Sequence, residues 1–497
     1  MIDDLSNKED LENEAIWIER TLIDTLNLYA KPLRITAYSK RWWNSTVIKA
    51  RLKYTQAKRR LKNSLDRGSS QLKRELKLTR NNYYYIVRKE KRECWQKFLQ
   101  GAEEILEDNP TYMDKNRCWT ALKYTSSRAS STTPAMKDAN GECATTIEEK
   151  EEIFRKMAFP DPIASSINIP ISGDSSINAI SSFITEDDIE KALFEQSIKK
   201  APGPDKLNFK ALRLLWSWDK ARIQALILQC FNQGIHPKSW KKAKGILLRK
   251  PNKSDYSIAK SYRVISLLNC LGKVAEKVAA TAIANFCEAR ELLHEGQFGY
   301  RKQRNAIDAV AKLIHTTEKA WNQKKLLGAL FMDVKGAFDY VVKERLLQRM
   351  NKLEIPQFLI NWTESFLTDR QAQLVIDGFT CSLKDTNSGV PQGSPVSPIL
   401  FNIYLSGIFE KIEEQNSEIT ALSFADDIAL LAPGKTVKDI QDALTNAGEQ
   451  AIAWGLLNNV KFDVEKTEAV LFTKKRKIRQ NLSNYNIKIQ SHNIKFN

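Results

Sequence analysis

Residues 421–433, "ALSFADDIALLAP", set two adjacent carboxylates, Asp426 and Asp427, between two short apolar runs. Each run is about the length of a buried strand, so the stretch reads as a hairpin with both charges at its tip. Neighbouring like charges repel, and a fold rarely presents them together without a counter-charge. Two explanations are open: a divalent metal at the tip, or a solvated turn in which Asp is an ordinary occupant. A second acidic position bears on the choice. In "KKLLGALFMDVKGAFDYV" an apolar run, Leu326 to Met332, ends at Asp333, 93 residues before Asp426. A buried strand holds a terminal carboxylate rigidly. Three carboxylates on two neighbouring β elements suit two Mg²⁺ ions roughly 3.5–4 Å apart, each completing its octahedron with water and phosphate oxygens. Asp339 precedes Val342, Leu346 and Met350 at helical spacing and reads as an N-cap.

With 497 residues, 42 % hydrophobic and 27 % charged, the chain is ordinary for a globular protein of two to four domains. No apolar run reaches the roughly 18 residues of a membrane span, and the acidic, polar start "MIDDLSNKED" is no secretory signal. Seven cysteines without a C-x-x-C pair, and four histidines, point away from zinc clusters and disulfide frameworks and towards a reducing compartment. The net charge of +18 is concentrated: residues 40–100 hold 19 Lys/Arg against 4 Asp/Glu, a net of +15. A basic segment attached to a nearly neutral body is a footprint for polyanion binding.

Residues 1–125 read as helical and strongly basic after an acidic start. Leu61/Leu65 and Leu72/Leu76 repeat at helical spacing on either side of "RGSS", predicting two basic helices joined by a short turn. Lys58, Arg59, Arg60, Lys73, Arg74 and Arg41 are candidate nucleic-acid contacts. Trp42, Trp43, Tyr83 to Tyr85 and Trp95 interleave with the charge, as stacking on bases requires, or else they pack the helices together. Residues 126–185, rich in Ser, Thr, Pro and Gly, read as a linker. From 186 to 473, amphipathic stretches alternate with short β-like runs without an internal repeat, which predicts an α+β class. Residues 388–409, "SGVPQGSPVSPILFNIYLSGIF", start as a Gly/Pro-rich loop and enter a helix at about Ser397 or Pro398. Gly393 permits close backbone approach to a ligand, and Gln392 offers an amide to a base or sugar; the plain alternative is a loop-to-helix turn.

"FMDVKGAF", "GVPQGSPVSPILFN" and "SFADDIALL" together resemble, in order and spacing, three successive palm motifs of reverse transcriptases. "KAPGPDKLNFKALRLLW" (200–216), "SYRVISLLNCLGKVAEKV" (261–278) and "EGQFGYRKQRNAIDAV" (295–310) look like the fingers motifs of non-LTR (LINE-type) retrotransposons. "WGLLNNVKFDVEKTEAVLF" (454–472) looks like the final palm motif, and "RWWNSTVIKARLKY" like the connector before the polymerase. The resemblance covers most of residues 40–475 and implies a right-hand polymerase fold: fingers and an antiparallel palm sheet packed with helices, behind a basic helical N-terminal region.

The resemblance also implies roles. Asp333, Asp426 and Asp427, with the Val334 carbonyl, would hold two Mg²⁺ ions, with Mn²⁺ as the alternative. Lys466 would protonate pyrophosphate, or be a surface lysine. Phe338, five residues past Asp333, would exclude a ribose 2′-hydroxyl and so select dNTPs, or serve as a core aromatic. Arg263 and Arg301 would lie over the triphosphate, where a guanidinium binds phosphate bidentately, or be surface residues; Gln392 and Gly393 complete the dNTP pocket. Implied partners are an RNA template, a DNA primer and dNTPs, with no membrane and no small-molecule cofactor beyond metal. Nuclear location follows from the resemblance, and "KKRKIR" (474–479) suits an import signal or a template-touching loop.

Val264 stands where proline is usual, Lys302 and Gln303 where a Pro-Gly turn is common, and Lys206 where glycine is common. These departures bear on loop geometry and leave the carboxylates intact. Residues 474–497 match the start of the primer-gripping connection, so a truncated copy lacking endonuclease, thumb and RNase H regions is expected, with activity impaired by the truncation. The expected function is an RNA-directed DNA polymerase core; the alternative is a non-catalytic nucleic-acid-binding remnant. A viral-type RNA-dependent RNA polymerase fits less well because of Phe338 and "FADD", and a group II intron maturase because of the connector and "APGPD" blocks.

Overall fold

The computed structural model describes residues 7–30, 40, 42–64, 69–103, 132–138, 140–161, 183–386, 388–415, 418–475, 478, 482 and 485–496. The chain divides into two units, residues 27–131 and residues 1–26 with 132–497.

The smaller unit is a pair of helices, Ser45–Asn63 and Ser70–Glu103, at the positions that the basic periodicity predicts. Asn44 caps the first by accepting from the Val47 N–H. Small residues let the helices approach, with Val47, Ala50 and Ala57 buried. Several of the interleaved aromatics do take a packing role. Tyr54 stacks on Tyr83 across the pair, with centroids 5.9 Å apart, and Lys91 lies 4.9 Å over Trp42. Tyr84 and Tyr85 stay exposed. Lys58, Arg59, Lys73 and Arg74 are exposed, Arg60 pairs with Glu75 at 3.1 Å, and Arg41 lies outside the described residues.

In the larger unit the organising element is strand β5, Leu326–Lys335, reached after β1 (Met136–Lys137), β2 (Cys143–Ala144), β3 (Lys242–Arg249) and β4 (Tyr262–Leu267). Its run "LLGALFMD" is apolar on both faces, as a central strand must be. Leu330, Met332 and Val334 face the main core, whereas Leu327 and Ala329 join Phe298, Ala320, Leu422 and Leu431 on the other side. Its partners β10 (Asp427–Gly434), β11 (Lys461–Phe462) and β12 (Glu468–Phe472) all run antiparallel, and β9 (Thr420–Phe424) extends the sheet beyond β10. Gly328 lets the helix Val437–Leu457 lie close, since a Cβ there would meet Ile440 Cγ2 at 2.2 Å. A second sheet, in the order β4-β3-β6-β7 with β8 beside β6, adds β6 (Gln371–Ile376), β7 (Phe379–Thr380) and β8 (Lys384–Asp385). There β3 and β6 run parallel. The mixed α+β class is as expected.

The structure corrects three expected boundaries. Residues 8–26 belong to the larger unit rather than to the basic helices. Leu11, Ala15 and Ile18 form one buried helical stripe, and the Glu12 carboxylate accepts from the Lys238 and Ser239 N–H groups at 2.6 and 2.9 Å. The stretch expected to be a linker is structured over 132–161. The β1/β2 hairpin and the helix Ile147–Ala158, closed by a Thr146/Glu149 capping box, cover the second sheet. Phe154 is fully buried with its ring edge-on to Tyr262 at 5.2 Å. Phe154→Ala is therefore expected to destabilise the protein by about 3–5 kcal/mol, read as a lower denaturant midpoint; a linker residue would leave it unmoved. Residues 126–131 and 162–182 lie outside the described ones. Finally, β13 (Asn486–Ile489) and β14 (His492–Lys495) form a hairpin that inserts Ile487, Ile489 and Ile494 into the main core.

At two positions where the resemblance implies glycine, this chain carries side chains on a left-handed backbone. Lys206 has φ 63° and Gln303 φ 57°, so side-chain-bearing residues occupy the left-handed region there, at about 1–2 kcal/mol each. Among the described residues no helix is long and apolar enough to cross a membrane.

Candidate active site

β5 and β10 pair in a register that puts Asp333 opposite Asp427. The Val334 N–H donates to the Asp426 carbonyl at 3.3 Å. Asp333 and Asp427 therefore form the non-hydrogen-bonded kind of cross-strand pair, the one that brings side chains closest. Val334 directs its carbonyl to the same side as its N–H, towards the hairpin tip, while its side chain is buried. The β9/β10 turn is only Ala425-Asp426, with Ala425 at φ 59°. Asp426 is thus held in a two-residue turn directly beside the facing pair.

Like charges so placed oppose one another. Burial raises the Asp426 carboxyl above the ordinary aspartate range, and the Asp333 charge adds to this, while its own backbone N–H and Arg263 pull it down. Asp427 is likewise raised by burial, Asp426 and Asp333. Two cations, Lys466 and Arg263, act on them, and a third, Lys250, lies near those two and Asp339. The Lys466 Nζ lies 2.5 Å from Asp333 Oδ2 and 3.0 Å from Asp463 Oδ2, and these bonds hold its ammonium above the usual lysine range. Arg263 is exposed on β4, and its charge reaches Asp426. Lys250, just after β3, is lowered by burial and by the nearby Arg263, Lys253 and Lys466 charges. A groove of about 300 Å³ beside the acids is walled by Val310, Leu313, Phe331 and Phe424 and runs to Asp333, Asp427 and Lys466.

Among the described residues no three His, Cys, Asp or Glu side chains converge as a preformed metal cage; Lys466 draws the Asp333 carboxylate to itself. The donor set nonetheless suits Mg²⁺, which takes one or two protein carboxylates and completes its shell with water and phosphate.

Two sequence assignments are overturned here. Arg301 is not free to meet a ligand. Its buried guanidinium grips the Glu288 carboxylate through Nε and Nη2 at 2.8 and 2.6 Å and donates to the His294 and Gln297 carbonyls. It braces the 293–301 loop instead. Asp339 is not an N-cap: the helix Lys343–Lys352 starts after Val342 without a side-chain cap, and Asp339 accepts from Gln392 Nε2 at 2.9 Å. Gly393, at φ 124°, lies so close to β4 that a Cβ would meet Ser266 O at 2.6 Å. The helix Ser397–Leu405 starts where expected, with Pro398 in its first turn. Phe338 is half-buried between Tyr300 and Phe401, at centroid distances of 6.4 and 5.4 Å.

Lys250, Tyr300 and Asp463 escaped sequence reasoning. Tyr300, half exposed at φ 59°, lies near Asp426 and Arg263; its adjacency to Arg301 in "GYR" was the available signal. Asp463, three residues before Lys466, holds Lys466 and Lys335 and donates its N–H to the Asp333 carbonyl at 2.8 Å. Burial works to raise its carboxyl, but the bonds from Lys466 and Lys335 prevail and lower it.

The profile of the family "Reverse transcriptase (RNA-dependent DNA polymerase)" matches residues 248–496. The RNA-directed DNA polymerase from mobile element jockey of Drosophila melanogaster is 26 % identical over 350 residues, 68 % of this chain and 38 % of that protein. The probable RNA-directed DNA polymerase from transposon BS of the same fly is 28 % identical over 304 residues, 59 % of this chain and 32 % of that one. Apo telomerase from Candida tropicalis aligns over 46 % of this chain and 44 % of that one, with 12 % identity and a TM-score of 0.36. The chain thus spans well under half the length of the curated relatives that it matches.

Proposed function

The chain belongs to the reverse transcriptase (RNA-dependent DNA polymerase) family, and we propose that it is the polymerase core of a non-LTR retrotransposon, extending a DNA primer with dNTPs on an RNA template. The observation that carries this reading is the Asp333/Asp427 facing pair with Asp426 in the adjoining turn, with Lys466 and Arg263 as the cations that act on them. Asp333, Asp427 and Lys466 line one groove, and with Asp426 and Arg263 beside them they suit a site for metal and polyphosphate.

Asp333, Asp426, Asp427 and the Val334 carbonyl are the groups that would hold Mg²⁺ or Mn²⁺. Bound there, the metal supplies the charge that activates a primer 3′-hydroxyl and steadies the leaving pyrophosphate. Arg263 and Lys250 bind the triphosphate oxygens. Lys466, held protonated by Asp333 and Asp463, donates a proton to the departing pyrophosphate. Phe338, wedged against Tyr300 and Phe401, bounds the sugar and excludes a 2′-hydroxyl. The right-hand architecture follows from this reading: the β5 sheet is the palm, and β3, β4 and the 295–301 loop belong to the fingers. Nuclear action accords with a retrotransposon.

The test is dTTP incorporation on poly(rA)/oligo(dT) with Mg²⁺ and with EDTA. Metal-dependent incorporation supports the proposal; tight, salt-sensitive binding without incorporation favours the non-catalytic remnant. The basic helix pair adds a second expectation. Lys58, Arg59, Lys73 and Arg74 contact phosphates, so changing all four to Gln is expected to flatten log K against log salt by up to about 3.5. Arg60, paired with Glu75, contributes less. Fluorescence anisotropy of labelled RNA–DNA hybrid across a salt series measures it.

A further inference from the structure

We infer that Asp339 is a positioning residue: it fixes the side-chain amide of Gln392 so that the Oε1 carbonyl faces the nucleotide as an acceptor for a sugar hydroxyl. The inference rests on the polymerase reading and extends it to a residue outside the metal-binding and phosphate-binding sets.

The backbone around Gln392 has little freedom. Its carbonyl accepts from the Ser266 N–H of β4 at 2.7 Å, and the next residue, Gly393, abuts Ser266 O. On the other side, the Val390 N–H donates to Phe338 O at 2.8 Å and the Gly389 N–H to Val341 O at 3.1 Å. The 388–393 loop is thereby clamped between β4 and the turn that follows β5. That turn carries Phe338 and Asp339 as neighbours, and the Asp339 N–H closes it onto Gly336 O at 2.9 Å. What remains to be set is the terminal torsion of Gln392, which is broad and nearly two-fold.

The 2.9 Å bond from Gln392 Nε2 to Asp339 Oδ1 sets that torsion. An ionised carboxylate only accepts, so it takes the NH₂ group and leaves the amide oxygen on the far side. A protonated carboxyl also donates, and can hold Oε1 instead, which turns the amide over. Burial pushes Asp339 up to about 7, while the Gln392 bond and the Lys250 charge pull it down. Arg370 lines the same small cavity as Asp339 and Gln392, with Glu276 as its own counter-charge. The switch between the two amide orientations therefore falls near neutral pH.

The test combines enzymology with a spectroscopic readout on the full chain. Asp339→Leu is expected to raise KM for dTTP by up to about tenfold at pH 8, with kcat changed far less; this is the value of the one neutral amide–hydroxyl hydrogen bond that the misoriented Gln392 no longer makes to the sugar. The wild-type KM is expected to rise as pH falls through about 7. Asp339→Asn, which still accepts but does not titrate, recovers part of the affinity and loses that pH step. In protein labelled with [¹⁵N]glutamine, the Gln392 side-chain resonances, identified by their loss in Gln392→Asn, shift across the same range and stop shifting in Asp339→Asn. Resonances that stay fixed between pH 6 and 8, or a kcat loss equal to the KM rise in Asp339→Leu, overturn the inference. A wild-type protein that binds primed template and incorporates nothing overturns the polymerase reading itself, and the amide titration distinguishes that failure from a failure of the Asp339 contact.

Discussion

Replacing Asp426 by asparagine is expected to lower Mg²⁺-dependent dTTP incorporation by about 10³-fold while raising the thermal stability of the metal-free protein. The first effect follows from removing a carboxylate that would stabilise transition-state charge through metal, worth several kcal/mol, where each 1.36 kcal/mol is tenfold. The second follows from the sign of the titration. Burial, aided by the Asp333 charge, raises the Asp426 carboxyl, and Asp427 is raised as well. A carboxyl raised in the fold binds its proton more tightly folded than unfolded. The folded state therefore gains stability as pH falls from neutral through the raised pKa, and loses it above. Asparagine mimics the neutral acid at every pH. Thermal melts in EDTA over a descending pH series from neutral should show wild type gaining more on acidification than Asp426→Asn does. A variant that is inactive and also less stable would refute the claim that these charges oppose each other in the fold.

Gly299→Ala is expected to cost nearly as much function without altering any ionisable group. A Cβ on Gly299 would sit 2.2 Å from Ala425 N, 2.9 Å from Ala425 Cα and 3.1 Å from Phe424 C. All three are backbone atoms of the hairpin tip, so no side chain can swing aside. The tip that carries Asp426 must move, and a misplacement of about 1 Å is enough for roughly a 10²-fold loss of rate. Overpacking of this kind also destabilises by about 1–3 kcal/mol. Gly407→Ala serves as the control, because the nearest atom to its Cβ would be Trp454 Nε1 at an ordinary 3.4 Å. Primer extension together with urea unfolding of both variants checks the prediction; equal activity for the two would remove the proposed link between the 295–301 loop and the hairpin.

That link shows where local pattern ends. The carboxylates were found because each ends a short apolar run, and a buried strand writes its burial into consecutive residues. The basic helix pair was legible from the one-sided charge run and from Leu72 and Leu76, four apart on the second helix; Leu65 lies outside the described residues, past the end of the first helix. Contacts between partners distant in sequence leave no such local pattern. Arg301 looked like a phosphate ligand because its motif is local, but Glu288, on the preceding helix, already holds its guanidinium. Asp339 looked like a cap because helical spacing follows it, but its partner, Gln392, is 53 residues away. The Ser- and Pro-rich segment looked like a linker, and the exposed side chains of the helix Ile147–Ala158 gave no hint that Phe154 is buried against Tyr262.

Residue order alone thus specified the strands, the acids that end them, the basic helices and the loop that carries Gln392. Each of these is encoded in side chains within a turn or two of one another. Tertiary structure decided the register that sets Asp333 opposite Asp427 and the strand-like pairing of Gln297 with Ser423. It also decided the Lys466 contact with Asp333 and the bond that orients Gln392. These depend on which elements lie side by side and at what offset; in the β5/β10 pair a shift of one residue would turn Asp333 or Asp427 to the opposite face.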